Sequence, residues 1–418
     1  MVERIDELYR ESLTLYTSPI LKSGGLKYLS DKYIPENPLY RKEHILKLSK
    51  WVYEFIDNSI PGTIFLEGPS GTGKTMCFKI VEKFANRRMQ EESISESRII
   101  YINGRNRTIM NVLTEILNTI GVHTPHRGLS YGEVISRLLE TSRRVPIHVC
   151  IDEIDQLRVY QDSFNVEDLL YLFSRNEGLS LTTITNNYNF LGDLEDSRVR
   201  SSITKEKNLI FERYNKKQCF DILWERCENA FRKNVISEGV VSKLADYVSD
   251  VSGDIRDGID TLRACVEICQ GDGLQIIDEK VLERAVELYR NRRMIQKIHA
   301  LSNSQRTVLA AYYFNIISNG RTEQTMEEIF DMYYTLREKM GKTSTIQDVR
   351  ARVADLVTFS LLESIKSGRG PRKGVERRYR ALIPMEVIYR ALITDPELSD
   401  IAKGLIDEVR KKRLRNYI

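Results

Sequence analysis

Nothing in this sequence is apolar for long enough to cross a bilayer, which excludes a transmembrane helix. Its first stretch, MVERIDELYRESL, is charged throughout and does not read as a signal peptide. No Cys-x-x-Cys pair occurs among Cys77, Cys150, Cys219, Cys227, Cys265 and Cys269, and no histidines gather beside them, so a zinc site is not expected. Buried free thiols in a reducing compartment are the reading instead. There is no internal repeat and no low-complexity tract. An excess of charge of one sign is also lacking: the net charge is only +4. The surface as a whole is therefore no polyanion binder, and any nucleic-acid contact must rest on local basic patches. What is present, 41% hydrophobic and 29% charged residues over 418 positions, fits two or three globular domains, each able to bury a core.

The strongest signal lies at residues 63–75, TIFLEGPSGTGKT. A short apolar run, Ile64–Leu66, feeds a loop with three glycines, and Met76–Phe84 then reads as a helix. This is G-x-x-x-x-G-K-[ST] between a strand and a helix, the context a P-loop requires. Glycines let backbone N–H groups converge on phosphate oxygens, and the helix N-terminus adds positive potential. The candidate nucleotide-binding residues are Gly68, Pro69, Ser70, Gly71, Thr72, Gly73, Lys74, Thr75 and Met76. Lys74 is expected to reach the β/γ-phosphates, and the Thr75 hydroxyl to ligate Mg²⁺.

Further strands are expected at Arg98–Asn103, Ile147–Ile151 and Leu179–Thr185. The second ends in Asp152-Glu153, which fits a Walker B element: Asp152 as metal ligand, Glu153 orienting the attacking water. The third ends at Asn186, which reads either as a contact to a γ-phosphate or that water, or as a plain turn residue. Strands alternating with helices imply a parallel sheet flanked by helices on both faces, with ligands at the carboxyl ends of the strands. Upstream, Tyr33-Ile-Pro-Glu-Asn-Pro reads either as cover for a base or as a plain linker. Arg198 and Arg200 are expected on a loop before the strand Leu209–Phe211, either reaching a nucleotide or solvated. Helices then dominate from Lys216 to about Met294, and Gly253-Asp-Ile-Arg256 opens one of them.

From His299 three helices are expected, then two strands joined by a basic, glycine-rich tip, the winged helix-turn-helix pattern. The third helix starts after a Ser344/Gln347 capping box and buries Val349, Val353 and Leu356. Lys366–Arg380 holds seven basic residues against Glu376 alone, which favours phosphate contact by the wing.

The order P-loop, Asp-Glu, Asn, Asp196-Ser-Arg-Val-Arg-Ser-Ser, Gly-Asp-Ile-Arg and winged helix resembles the archaeal replication initiators. These are AAA+ proteins related to origin-recognition-complex subunit 1 and cell division control protein 6. The resemblance spans about Tyr33 to Leu398. It implies an AAA+ domain with its N-terminal adenine-side segment (1–212), a helical lid (213–298) and a winged-helix DNA-binding domain (299–418). It implies sensor roles for Asn186 and Arg256, and an adenine wall from Tyr33, Ile34, Pro35 and Arg41. It also implies DNA contacts by Arg127 and Gly128 in the ATPase domain, by Ser344, Thr345, Gln347 and Arg350 on the third helix, and by Arg369, Gly370, Arg372 and Lys373 on the wing. Serine stands where many relatives carry a trans-acting arginine, so either Arg198 or Arg200 substitutes as the arginine finger or there is none, which favours a slow switch over a motor. The function implied is ATP-dependent recognition of double-stranded origin DNA in the cytoplasm, at the nucleoid, with ATP/ADP and Mg²⁺. Its partners would be the replicative minichromosome maintenance helicase and paralogous initiators, with no membrane. The alternatives are an ATP-gated winged-helix transcription regulator and an initiator paralogue that represses origins.

Overall fold

A computed structural model describes residues 19–93, 97–125, 128–158, 164–202, 207–343, 345–368, 375–400 and 403–404. The chain packs as two compact units that divide between Glu283 and Arg284, inside the helix Glu279–His299.

The first unit is built on five parallel strands, β1 (Gly62–Glu67), β2 (Arg98–Asn103), β3 (Ile147–Asp152), β4 (Leu179–Thr185) and β5 (Asn208–Ile210), in the order β2-β3-β4-β1-β5. β3 and β4 are buried at every residue, as expected of a parallel sheet covered on both faces. The two-residue side-chain period sorts the strands' residues between two cores. Phe65, Val149, Ile151 and Leu181 pack with the helices Ile109–Thr119, Tyr131–Ser142 and Val166–Arg175. Ile64, Leu66, Cys150 and Ile184 pack with Lys42–Asn58 and Lys74–Glu91. The strand order carries the functional consequence. β4 lies between β1 and β3, so the loop after β1, Asp152 at the end of β3 and Asn186 just beyond β4 come out side by side.

The same unit continues into the helices Lys216–Ala230, Glu238–Val251 and Ile255–Asp272. Asn215 caps the first with a reciprocal Gln218 bond, and Asp254 caps the third by accepting from the Arg256 N–H. The N-terminal strap is fastened to the first helix. Leu21 bridges to Phe231, Lys22 N donates to Ala230 O at 2.9 Å, and Arg232 N donates to Ile20 O at 2.9 Å. Gly25 is needed there, because a Cβ would lie 2.2 Å from Ala230 O.

The second unit holds the helices Asn303–Asn319, Met326–Lys339 and Ile346–Thr358. A three-stranded antiparallel sheet is ordered β6-β8-β7, with β6 (Gln324–Thr325) between the first two helices and β7 (Leu362–Gly368) and β8 (Val375–Ala381) after the third, and then comes a helix Met385–Ile393. This is a winged helix-turn-helix. Tyr312 ties its layers: the hydroxyl donates to Thr322 O at 2.6 Å and accepts from Ala381 N at 2.9 Å. One expectation is corrected. The capping box of the third helix is Thr345 with Asp348, not Ser344 with Gln347. The Asp348 carboxylate accepts from both the Thr345 N–H and its hydroxyl, a charge-assisted pair that the neutral Gln347 amide would not match. All six cysteines are buried and free. Among the described residues, no helix is long and apolar enough to cross a membrane.

Candidate functional site

The glycine loop is shaped by three positive-φ residues, Gly68, Gly71 and Gly73. Two of them also admit close neighbours. A Cβ on Gly68 would lie 2.2 Å from Phe211 O, and one on Gly71 would lie 1.8 Å from the Asp254 Oδ1 of the third lid-side helix. Lys74 is 5% exposed and folds back over the loop. Its Nζ donates to Gly68 O (2.6 Å), Pro69 O (2.7 Å) and Asn186 Oδ1 (3.0 Å). Burial pushes the Lys74 ammonium down to about 8, with Asp152 pulling the other way. The hydrogen bonds of this buried ammonium go to neutral oxygens, an environment that favours an anionic partner.

Facing it, Asp152 Oδ2 accepts from Thr75 Oγ1 at 2.7 Å and from the Tyr101 hydroxyl at 2.7 Å. Glu153 holds a left-handed backbone, φ 55°, unusual for a residue with a Cβ. Its Oε2 is buried with no hydrogen-bond partner. Strain plus an unpartnered carboxylate oxygen is a costly combination that a structural role would not require.

These groups line one cavity of about 690 Å³, in the range of small-molecule sites. Ser70 to Met76, Asp152, Glu153 and Asn186 form its floor, and Tyr33, Ile34 and Pro35 form one wall. Ile222, Arg226, Ile255, Arg256 and Ile259 close it from the helical side. Arg256 is held by the Asp254 carboxylate, Nη2 to Oδ2 at 2.7 Å and Nε to Oδ1 at 3.0 Å. Gly68 and Pro69 stand outside the lining and act through the carbonyls that hold Lys74.

Arg41, expected beside Tyr33, Ile34 and Pro35, does not line the cavity. It is buried beneath the loop, donating to Thr72 O (2.9 Å), Glu212 O (2.8 Å) and Tyr214 Oη (3.1 Å), with its guanidinium 4.3 Å from the Tyr214 ring centre. Arg198 and Arg200 lie on a short helix, Ser197–Ser202, and not on a loop. Arg198 pairs with Asp196 at 2.6 Å, Arg200 donates to Glu195 O, and neither lines the cavity. Sequence reasoning missed Tyr101, Tyr214 and Arg226. Arg226 is 6% exposed, donates to Tyr28 O at 3.2 Å and lies 4.5 Å from the Tyr33 ring centre.

In the winged unit, Val349, Val353 and Leu356 face the core, leaving Gln347 and Arg350 exposed with Thr345 at the helix start. Gly128 has a positive φ and open space around it. Arg127, Ser344, Arg369, Gly370, Arg372 and Lys373 lie outside the described residues.

Residues 58–188 match the AAA domain family, and residues 220–287 match the Cdc6 AAA+ ATPase-type lid domain. The ORC1-type DNA replication protein 1 of Sulfolobus acidocaldarius is 31% identical over 371 residues, covering 86% of this chain and 89% of that protein. Its counterpart in Sulfurisphaera tokodaii is 31% identical over 384 residues, covering 90% and 92%. The chain belongs to the ORC1-type DNA replication proteins. Among solved structures, the Aeropyrum pernix ORC1 protein in complex with DNA superposes with a TM-score of 0.75 at 27% identity, covering 92% of this chain and all of that one. Cdc6p from Pyrobaculum aerophilum shares the fold, with a TM-score of 0.55 at 20% identity over 93% and 99%. As an ORC1-type initiator, the chain carries its P-loop, Asp152 and Glu153 in the AAA match, and Arg226 and Arg256 in the lid match.

Proposed function

We propose that this initiator binds ATP in the cavity between the P-loop and the lid and binds double-stranded origin DNA through its winged helix. We assign residues 1–212 as the ATPase domain, 213–298 as lid and 299–418 as the DNA-binding domain. The observation that carries the nucleotide reading is Lys74: a buried ammonium whose hydrogen bonds go to neutral oxygens, at the floor of a cavity of nucleotide size. Triphosphate oxygens would replace the loop carbonyls as its partners, and Arg256 would meet the same phosphates from the lid. Tyr33, Ile34 and Pro35 would pack on the base.

Mg²⁺ fits the residues present. No cluster of three or more metal-binding side chains occurs among the described residues, and Mg²⁺ in nucleotide sites takes one or two protein oxygens with water and phosphate completing the shell. Thr75 and Asp152 would hold it, already bonded to each other at 2.7 Å. When bound it neutralises phosphate charge and draws electron density from the transferred group. Glu153, with its unpartnered Oε2, would orient the attacking water and take its proton, while Asn186 would hold the γ-phosphate side. Arg198 and Arg200 remain the candidates for an arginine reaching a neighbouring subunit.

The DNA reading rests on the winged-helix unit, the exposed Gln347 and Arg350, and the A. pernix relative described in complex with DNA. Thr345, Gln347 and Arg350 would read base edges, with Ser344, Arg369, Gly370, Arg372 and Lys373 as further contacts there and Arg127 and Gly128 as contacts from the ATPase domain. ATP would mark the state competent to recruit the replicative helicase, and slow hydrolysis to ADP would end it. The test is binding of the full chain to origin and random duplexes at fixed salt, with ATP and with ADP. Equal affinity for both duplexes would sink the origin reading. Failure of ATP to bind would sink the switch.

A further inference from the structure

The wall behind Asp152 is built with more care than a metal ligand's own backbone requires. Asp152 ends β3, and β2 runs beside it in register, Tyr101 opposite Cys150 and Asn103 opposite Asp152. From two positions back, the Tyr101 hydroxyl reaches forward and donates to Asp152 Oδ2 at 2.7 Å. The same oxygen accepts from Thr75 Oγ1 at 2.7 Å. The tyrosine ring is itself fixed. Lys79 Nζ sits 3.6 Å from its centre and is held by Glu82 at 2.9 Å, and the Phe78 ring lies 6.3 Å away.

A carboxylate at a strand end turns about its last bond, and one hydrogen bond leaves it a hinge. Two donors arriving at one oxygen from different elements remove that freedom. They also take up Oδ2, so that the other oxygen, Oδ1, is left for a metal or its bound water. Mg²⁺ demands near-ideal octahedral geometry and gives up water reluctantly, so it is the ion most sensitive to such aim. Partners that orient a ligand typically change metal affinity by about 10- to 100-fold when removed.

We propose that Tyr101 is a positioning residue that orients Asp152 toward Mg²⁺ and so sets how strongly nucleotide binding depends on the metal. This rests on the nucleotide reading given above, and the test separates the two. A fluorescent ATP analogue is titrated into the full chain in excess EDTA and then across a Mg²⁺ series, for the parent and for Tyr101→Phe. The phenylalanine keeps the ring and its contact with Lys79, and equal melting temperatures confirm the fold. Metal-free affinity should stay within about twofold, while the Mg²⁺ concentration for half-maximal effect should rise about tenfold. Adding Tyr101→Phe to Asp152→Asn should change nothing further, since the tyrosine acts through that carboxylate. An unchanged Mg²⁺ dependence in Tyr101→Phe, or an additive loss in the double variant, overturns the proposal. Absence of nucleotide binding by the parent both in EDTA and across the Mg²⁺ series overturns the nucleotide reading, and this assignment with it.

Discussion

Acid should loosen the central sheet through a single histidine. His148 sits in β3 at 0% exposure, between the rings of Phe55 and Phe78, with its two nitrogens on Ser180 Oγ (3.0 Å) and Thr182 Oγ1 (2.9 Å). Burial, with a smaller contribution from Lys207, pushes it from the ordinary 6.5 down to about 3. The folded state therefore keeps the ring neutral, while the unfolded chain takes up a proton below 6.5. Stability from this group is fully present above that value and is lost as pH falls toward 3. Between pH 7 and pH 5 the loss is about 2 kcal/mol, from 1.36 kcal/mol for each unit of unequal protonation. Hydrogen-exchange protection of β3 and β4 against urea, measured at both pH values, isolates this sheet from the winged unit. Carboxylates also titrate in this range, so the comparison is with His148→Asn, which removes the titration whatever it does to packing. The variant should lose about 2 kcal/mol less than the parent over the same interval. An equal loss in both would refute the assignment.

Three further outcomes follow from the site. Glu153→Gln should bind ATP as the parent does and hydrolyse it about 10²- to 10⁴-fold more slowly, measured as single-turnover phosphate release. Gly71→Ala puts a methyl 1.8 Å from Asp254 Oδ1 and 2.8 Å from its Cα on a backbone at φ +75°. The lid must back away, and nucleotide affinity should fall at least about tenfold, or about 1.4 kcal/mol, by fluorescence titration. Arg350→Ala leaves the buried face of its helix intact, so melting should shift little, while origin DNA binding should weaken by about 1–3 kcal/mol relative to random duplex.

Much of the sheet was legible because its strands are short apolar runs ending in chemistry. Arg98–Asn103 and Leu179–Thr185 fall where expected, and the P-loop sits between its strand and helix. The helix Val166–Arg175 was missed, although Asn165 and Asp168 form its capping box. A four-residue signal of that kind is common, but Val166, Leu169, Leu170 and Phe173 behind it carry the helical period, so this helix was legible. Arg198–Ser202 read as a loop because arginine and serine carry no apolar period. Its helix is anchored by Val199, 1% exposed, packed into the sheet core. Two residues, Gln324 and Thr325, are too short a strand for any pattern, and only pairing with β8 defines them. Within the site, the glycines, Lys74, Thr75, Asp152 and Asn186 announced themselves by spacing. Tyr101, Tyr214 and Arg226 did not, because their roles come from strand register and helix placement that join distant stretches.

The strap at the N-terminus travels with the wrong half of the ATPase unit. Residues 20–33 are hydrogen-bonded to the lid's first helix and its end, through Ala230, Phe231, Arg232 and Arg226, and the Tyr40 hydroxyl reaches Asp221. One residue later the chain crosses to the sheet side, where Arg41 grips Thr72 O. It also grips Glu212 O and the Tyr214 hydroxyl, where the chain crosses back. The two crossings are thus riveted together by one guanidinium. A lid opening about that rivet would carry the strap, and with it Tyr33, Ile34 and Pro35. On the proposed reading, one jaw of the site would own both the contacts to the base and Arg256. Letting go of the base and letting go of the phosphates would then be one motion, with the site opening as a clamp does.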